Sequence, residues 1–230
     1  KSNRKNIKMM NNNLNNKNIS MLPLQLHSIL IGIMLSDGSL YKSSPNANVR
    51  FEMSFGEKYK ELAFHIGELF KEYMSNPVKS VEIKGVKKIY TNYRLKTKTL
   101  SIFNSYHDMF YKLNPETNKY TKIVPLNIID LMDPVVLAYL IQGDGNFNKN
   151  RNRVRIYTNS YQKSEVENLA KAINTKLNIY TATLLDRKDQ WILTIGAKNL
   201  DLLRKVVIPH FHPSMYYRVG VSNINNVDDL

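Results

Sequence analysis

The sequence predicts an α+β fold made of two similar units, each with the element order αββαββα. The first observation is a pair of apolar stretches that both end in Asp-Gly, at Asp37 and Asp144. The second is a spacing of 107 residues that aligns both the acids and the apolar positions of the helix that follows them. The third is an alternation of apolar and polar residues after each acid, which is typical of half-buried antiparallel strands.

A predicted helix opens each unit. Its apolar residues recur at i, i+3, i+4, i+7 and i+8 from Leu26 to Met34, and a matching pattern runs from Val136 to Ile141. A single Asp-Gly after a helix is an ordinary stop signal, but its repetition at equivalent positions points to function. If the two helices pack about a pseudo-two-fold axis, their carboxyl ends bring the two acids together. Adjacent carboxylates repel each other, so we expect a divalent cation between them.

A hairpin is expected to follow each acid, with one face in the core and the other face available. The spacing of 107 residues pairs Asn48 with Arg155 and Arg50 with Tyr157. The available faces of the two units are therefore expected to correspond in position but to differ in chemistry.

The remaining elements follow the same order in both units. In the first unit we predict strands at 39–44 and 49–55, a helix at 57–74, strands at 78–84 and 89–97, and a helix at 100–112. In the second unit the later strands fall within 179–196 and the closing helix at 198–207. The predicted divisions of the chain are a disordered basic, Asn-rich tail at 1–20, a first unit at 21–113, a linker at 114–132, a second unit at 133–221 and a C-terminal tail at 222–230.

The charge of the chain indicates a polyanionic partner. Lys and Arg total 33 against 19 Asp and Glu, which gives a formal net charge of +14, and nucleic acid is the leading candidate. No apolar run reaches the length of a membrane span, so membrane binding is not expected. The absence of cysteine excludes disulfides and thiolate zinc sites, and the five histidines lack ligand-like spacing.

The two Asp-Gly stretches, 30–38 and 137–145, align without a gap with the nine-residue motif of the LAGLIDADG homing endonucleases. The acid and the final glycine are in register in both. The sequence resembles this family over nearly all of residues 21–221. The resemblance implies two antiparallel sheets that together form a DNA-binding saddle, with the motif helices packed at the central interface.

Three positions depart from the motif. Tyr139 stands where the motif has a small residue and where the first copy has Gly32, so the close approach of the helices is expected to be asymmetric. The sixth position, acidic in the motif, holds Leu35 and Gln142. Only the acids at the eighth position are therefore carried over from the family.

The resemblance implies a site-specific endonuclease that makes a staggered double-strand break in a long, pseudo-palindromic DNA target. It implies Mg²⁺, or another divalent cation such as Mn²⁺, as cofactor, whereas Ca²⁺ is expected to bind without supporting cleavage. A basic residue at an equivalent point of each unit reaches the active centre in the family, which implies catalytic roles for Lys122 and Arg218. Ordinary phosphate or solvent contacts remain the alternative for these two. The implied metal ligands are Asp37, Asp144 and the backbone carbonyls of Ser36 and Gly143.

Outward side chains of the strands are expected to enter the major groove, where all four base pairs can be distinguished. The expected DNA-binding residues of the first unit are Ser39, Tyr41, Asn48, Arg50, Glu52, Lys84, Asn92, Arg94 and Lys96. Those of the second unit are Asn146, Asn148, Arg155, Tyr157, Asn159, Thr183, Arg187 and Lys188.

Two other functions remain open from the sequence. Some relatives are maturases that bind intron RNA with the same saddle, and a non-cleaving DNA-binding repressor would use the same fold. Retention of both acids favours the endonuclease. The Asn- and Lys-rich composition hints at an AT-rich organelle genome, so we expect an intron-encoded, mitochondrial protein that acts as a monomer.

Overall fold

A computed structural model of the protein describes residues 21–222 and confirms the α+β fold with two αββαββα units. The first unit contains α1 (Leu24–Leu35), β1 (Ser39–Lys42), β2 (Val49–Gly56), α2 (Lys60–Leu69), β3 (Lys79–Lys84), β4 (Ile89–Lys96) and α3 (Asn104–Phe110). Between the units lie β5 (Tyr111–Asn114), β6 (Lys119–Lys122) and α4 (Ile128–Leu131). The second unit contains α5 (Pro134–Asp144), β7 (Gly145–Asn148), β8 (Arg153–Ile156), α6 (Lys163–Leu177), β9 (Ala182–Arg187), β10 (Gln190–Ile195) and α7 (Leu200–Val207).

Each unit has one four-stranded antiparallel sheet. The strand order is β1-β2-β4-β3 in the first sheet and β7-β8-β10-β9 in the second. Burial alternates along β2, where Val49, Phe51, Met53 and Phe55 join the hydrophobic core. The polar residues between them lie on the opposite face. The strand that follows each acid, β1 or β7, forms one edge of its sheet.

Close packing of α1 against α5 holds the two units together. A Cβ placed on Gly32 would lie 2.5 Å from the carbonyl oxygen of Val136 and 2.8 Å from the Cβ of Tyr139. A Cβ placed on Gly143 would collide with Ser36, whose own Cβ would be 2.6 Å away. The helices therefore touch at two pairs of equivalent motif positions. One member of each pair is a glycine, because a second side chain would not fit.

Tyr139 fits the interface because its ring leaves the contact with Gly32 toward the first unit. Its hydroxyl is hydrogen-bonded to Nε2 of His65 on α2 at 2.9 Å. The expected asymmetry of the two motif helices is thus confirmed. The glycine of the contact pair lies at the third motif position in α1 and at the seventh in α5.

The opposite ends of the same helices are tied by one carboxylate. Asp133 caps α5 by accepting a hydrogen bond from the backbone N–H of Val136 at 2.8 Å. Its other oxygen accepts from the hydroxyl of Ser28 on α1 at 2.5 Å. Both ends of the helix pair are therefore fixed, which sets the distance between the acids.

The segment between the units carries secondary structure that the sequence reading of 114–132 as a linker missed. Strands β5 and β6 pair as an antiparallel hairpin, and the short helix α4 follows. Each strand has only four residues and most of their side chains are exposed, so no apolar alternation marked them. The hairpin ends at Lys122 and thereby fixes the position of this residue.

Helix positions were predicted correctly, but helix lengths were overestimated. The predicted helix at 57–74 consists of α2 flanked by 3₁₀ turns at Glu57–Tyr59 and Lys71–Tyr73. The predicted tail at 1–20 and the predicted C-terminal tail at 222–230, except its first residue, lie outside the described residues. Within residues 21–222, no helix is long and apolar enough to cross a membrane.

The two hairpins differ in register. Arg50 pairs with Tyr41 in the first, whereas Arg153 pairs with Asn148 in the second. Asn148 is the sequence equivalent of Tyr41, so the structural counterpart of Arg50 in the second unit is Arg153. The predicted correspondence of Arg50 with Tyr157 is therefore wrong. By the same register, the predicted correspondence of Asn48 with Arg155 is also wrong.

The cause is the length of the turn. The second hairpin reverses within residues 149–152, sooner than the first, and this shifts β8 against the sequence spacing. The connection at 157–162 is longer than its counterpart and restores the spacing before α6.

We predict that Gly32→Ala destabilises the fold by about 1–3 kcal/mol, because the added methyl group has no room beside the carbonyl of Val136. Thermal unfolding followed by circular dichroism measures the loss. Gly196→Ala is the matched control: an added Cβ there meets no atom within 4 Å and φ is −81°. Equal melting temperatures for the two variants would contradict the tight helix contact.

Candidate active site

The two acids meet at the carboxyl ends of the motif helices. Asp144 is the last residue of α5, and Asp37 lies two residues beyond α1. The backbone N–H groups of Ser36 and Gly38 both donate to the carbonyl of Ile33 at 3.0 Å, which closes the helix end and turns Asp37 outward. The two carboxyl groups are close enough for each to affect the pKa of the other.

One basic side chain reaches each acid-bearing loop. Nζ of Lys122 donates to the carbonyl of Ser36 at 2.9 Å and to that of Gly38 at 2.6 Å. Arg218 donates from Nη1 to the carbonyl of Gly145. Gly38 and Gly145 are equivalent motif positions, so the structure brings Lys122 and Arg218 to matching places, one in each unit.

The local charges shift the pKa values of the groups around the acids. The pKa of Asp144 is raised to about 8. Loss of water is the main cause, and the neighbouring carboxylate of Asp37 is the second. Loss of water also raises the pKa of Asp37, against the opposing effect of Lys122. Burial lowers the pKa of Lys122 to about 8, although both carboxylates favour its charged form. Loss of water therefore disfavours the charged forms of both acids and of Lys122.

This donor set fits a hard divalent cation. Two carboxylates that repel each other and nearby backbone carbonyls are oxygen ligands of the kind that Mg²⁺ takes, with water or substrate completing the shell. Among the described residues no group of three or more His, Cys, Asp or Glu side chains is placed to hold a metal ion. The carbonyl of Ser36 already accepts from Lys122, which leaves it a weaker candidate ligand than the carboxylates.

A groove of about 1400 Å³ extends from Asp37 along the first sheet. Within it the Nε of Arg50 is bonded to Glu52 at 2.9 Å, and its guanidinium lies 4.4 Å from the ring centre of Tyr41. These contacts hold the guanidinium in place while leaving its Nη atoms free of the Glu52 bond. Other predicted site residues that line the groove are Ser36, Asp37, Ser39, Arg94, Lys96, Gly143 and Arg218.

The outward face of the second sheet is built around arginines. Asn146 pairs with Arg155, and Asn148 pairs with Arg153. The Nε atoms of Arg153 and Arg155 are buried without a hydrogen-bond partner among the described residues. Burial, followed by repulsion from Arg155, lowers the pKa of Arg153. The alternation of the strand predicts Arg153 on the outward face, but Arg153 was not included among the predicted DNA-binding residues.

Two predicted DNA-binding residues lie on the wrong face. Thr183 pairs with the buried Leu193 and therefore shares the helix-facing side of the second sheet. In the first sheet Ser80 pairs with the buried Tyr93 and therefore lies on the helix-facing side. Lys84 is four residues further along the same strand, so it also belongs to that side. Both errors arise because polar residues at strand ends give no signal of register.

The other predicted residues are spread along the outward faces and their turns. Asn92 lies on the same face as Arg94. Asn48 precedes β2 and accepts from the side chain of Asn104 at 2.9 Å. Asn159 donates to Asp186 at 2.9 Å. The backbone N–H of Tyr157 donates to the carbonyl of Asp144 at 3.0 Å, and Arg187 and Lys188 lie at the turn between β9 and β10.

Comparison with known proteins decides the family. Residues 27–203 match the profile of the LAGLIDADG DNA endonuclease family, and this match covers most of the chain. The chain belongs to this family. The matched range contains both acids and Lys122, while Arg218 lies beyond it.

Curated relatives of this LAGLIDADG chain include an endonuclease and a maturase. DNA endonuclease I-ChuI of Chlamydomonas applanata is 27% identical over 217 residues, which cover 88% of this chain and 97% of that protein. The cytochrome b mRNA maturase bI2 of Saccharomyces cerevisiae is 26% identical over 223 residues, or 94% of this chain. The chain spans 52% of the length of that maturase.

Solved structures share the fold. The homing endonuclease I-WcaI bound to its DNA recognition sequence superimposes with a TM-score of 0.77 at 23% identity, covering 89% of each chain. I-DmoI in complex with DNA and Mn gives a TM-score of 0.50 at 18% identity, covering 80% of this chain and 97% of that one. The architecture of two units with a sheet each is therefore that of LAGLIDADG proteins.

The raised pKa of Asp144 predicts how stability depends on pH. A carboxyl group with a higher pKa in the folded chain than in the unfolded chain destabilises the fold as pH rises between the two values. In EDTA the melting temperature should therefore fall from pH 5 to pH 8, and Asp144→Asn should fall less. The expected difference is about 2–4 °C for each kcal/mol of repulsion removed. Asp189→Asn, at an exposed turn, should follow the parent, and identical pH slopes for Asp144→Asn and the parent would contradict the crowded carboxylate pair.

Proposed function

We propose that this protein is a site-specific homing endonuclease that makes a staggered double-strand break in a long, pseudo-palindromic DNA target. The observation that carries the proposal is the meeting of Asp37 and Asp144 at the ends of two motif helices, with Lys122 and Arg218 at matching positions beside them. This centre lies between two sheets whose outward faces carry basic side chains. The net charge of +14 suits a duplex, whose phosphates dominate binding.

The acids are the metal-binding residues of the proposed reaction. A divalent cation held by Asp37 and Asp144 would supply charge neutralisation at the scissile phosphate and activation of a water. The carbonyls of Ser36 and Gly143 are further candidate ligands. Mg²⁺ or Mn²⁺ is proposed to support cleavage, and Ca²⁺ to bind without supporting it.

Lys122 and Arg218 are proposed to act on the phosphate. Each is anchored by a backbone carbonyl of an acid-bearing loop, so its remaining N–H groups are directed by a fixed contact. Lys122 is half-buried, and the partial loss of water strengthens the attraction of its ammonium group for the charge that develops on the phosphate. Arg218 also lies against the rings of Tyr59 and Tyr217, at 5.4 and 5.6 Å.

Sequence recognition is assigned to the sheets. Outward side chains of β1, β2 and β4, and of β7, β8 and β10, are proposed to enter the major groove. The first face presents Arg50 together with Glu52, whereas the second presents Arg153 and Arg155. Because the two faces differ, each half-site should have its own sequence, and the target is at most pseudo-palindromic.

We further propose that the protein acts as a monomer, since one chain supplies both acids and both sheets. A mitochondrial intron is the proposed origin. The composition supports this, as does the likeness to a cytochrome b mRNA maturase and to an intron-encoded endonuclease of Dictyostelium discoideum.

Cleavage of a randomised duplex library with Mg²⁺, followed by sequencing of the ends, tests the activity and yields the target. Asp37→Asn and Asp144→Asn should abolish double-strand cleavage while changing affinity for the duplex only a few-fold, because the sheets are untouched. Full cleavage by either variant would refute the assignment of the acids.

Lys122→Ala and Arg218→Ala should slow cleavage without moving the cut, and parent rates in both would leave these residues as ordinary phosphate or solvent contacts.

Arg50→Ala tests base readout. If the guanidinium makes a bidentate contact with guanine, the variant should lose about 1–3 kcal/mol of discrimination at one or two positions of one half-site. Cleavage of every single-base variant of the target measures this loss. Lys84→Ala is the matched control, because Lys84 lies on the helix-facing side of the same sheet. Uniform weakening with a salt slope reduced by about one would instead identify Arg50 as a phosphate contact.

Intron RNA is a second candidate ligand, favoured by the likeness to the yeast maturase over 94% of this chain. A maturase activity would bind the host intron specifically and promote its splicing. Filter binding to the intron against an unrelated RNA of equal length checks this at physiological salt. Equal affinity for the two RNAs would reduce the interaction to the general attraction of a basic protein for phosphate.

A further inference from the structure

The loop that carries Asp37 is held by a side chain of the other unit. The hydroxyl of Tyr161, in the connection between β8 and α6, donates to the carbonyl of Leu35 at 2.9 Å. Tyr161 is only 7% exposed, so this bond lies in the interface between the units. Neither the motif nor the spacing of the repeat singled out this residue.

The accepting carbonyl belongs to the last residue of α1, two residues before Asp37. Carbonyls in the last turn of a helix have no partner within the helix and need one from elsewhere. Lys122 supplies partners for the next carbonyls of the loop, those of Ser36 and Gly38. On the far side, the hydroxyl of Tyr111 accepts from the backbone N–H of Leu40 at 3.0 Å. Side chains thus anchor the loop before, at and after the acid.

The second acid lacks this arrangement. The sequence equivalent of Leu35 is Gln142, whereas Tyr161 lies in the longer connection 157–162, which has no counterpart of the same length in the first unit. Among the described residues no side chain of the first unit donates to the carbonyl of Gln142. The loop of Asp144 is instead held within its own unit, by the backbone N–H of Tyr157 and by Arg218.

We propose that Tyr161 is a positioning residue that sets the place of Asp37 from the opposite unit, so that its loss impairs the two strand cleavages unequally. This inference rests on the proposed endonuclease function. In a pseudo-two-fold site each acid is nearer to one scissile phosphate, so a displaced Asp37 slows one strand more than the other. Displacement of a catalytic group from its productive position costs on the order of tenfold or more in the rate of cleavage.

Tyr161→Phe keeps the ring in the interface and removes only the hydroxyl. Tyr106→Phe is the matched control: it is also a buried tyrosine, and its hydroxyl is bonded to His27 and to the backbone N–H of Leu22, away from the acids. Both variants lose one buried hydroxyl, so both should melt at a somewhat lower temperature. Only Tyr161→Phe should affect the acid loop.

Two measurements decide the proposal. The first is hydrogen exchange by mass spectrometry over residues 33–40 in the free protein: exchange should accelerate in Tyr161→Phe and remain at the parent rate in Tyr106→Phe. The second uses the target with each strand end-labelled: Tyr161→Phe should accumulate a nicked intermediate, with one strand cut on the order of tenfold slower and the other near the parent rate. Tyr106→Phe should keep the parent ratio of the two strands.

Parent-like exchange over 33–40, or an unchanged ratio of strand rates in Tyr161→Phe, would overturn the positioning role while leaving the endonuclease function intact. If the parent protein cleaves no duplex, the proposed function fails, and hydrogen exchange alone then decides whether Tyr161 holds the loop.

Discussion

The close contact between the two motif helices is the constraint on which the rest of the structure depends. Gly32 packs against the backbone of Val136, and Gly143 packs against Ser36. Because each contact has room for only one side chain, the helices are held at a short distance along their carboxyl halves. Two acids that follow these ends must then lie side by side, although carboxylates separated in water would avoid each other. The helix contact thus places two carboxyl groups side by side despite their mutual repulsion, and this pair forms the centre of the candidate site.

The surroundings of the pair respond to its charge. Lys122 and Arg218 arrive from the end of each unit and bind the carbonyls of Gly38 and Gly145. Both basic side chains lower the pKa of Asp144, but loss of water and, after it, the neighbouring carboxylate still raise that pKa to about 8. A partly uncompensated anionic centre attracts a divalent cation, while the basic sheets around it attract a polyanion. The opposite signs of the centre and the sheets direct the two ligands to different places.

The duplication supplies symmetry in the backbone, and side chains break it. Tyr139 opposes Gly32 and reaches His65, whereas the first motif has no comparable aromatic residue. A shorter turn at 149–152 shifts β8, so that Arg153 and Arg155 lie on the outward face at positions that the first sheet fills with Arg50 and Glu52. Tyr161 of the second unit holds the acid-bearing loop of the first unit through the carbonyl of Leu35. Among the described residues, no side chain of the first unit does the same for the loop of Asp144. Recognition of a target with unequal half-sites needs such differences, and a strictly symmetric chain could not provide them.

The sequence by itself determined the duplication, the order of elements and the two acids, because the apolar period of a helix and the alternation of a strand are properties of neighbouring residues. The resemblance of the sequence to the family implied Lys122 and Arg218 as the basic pair. Tertiary structure alone decided the register of the second hairpin, the faces of Thr183 and Lys84, and the role of Tyr161. Register depends on where a turn reverses the chain, and a polar turn permits several positions. The bond of Tyr161 joins residues 126 positions apart, and no local pattern encodes a contact that exists only when two units pack.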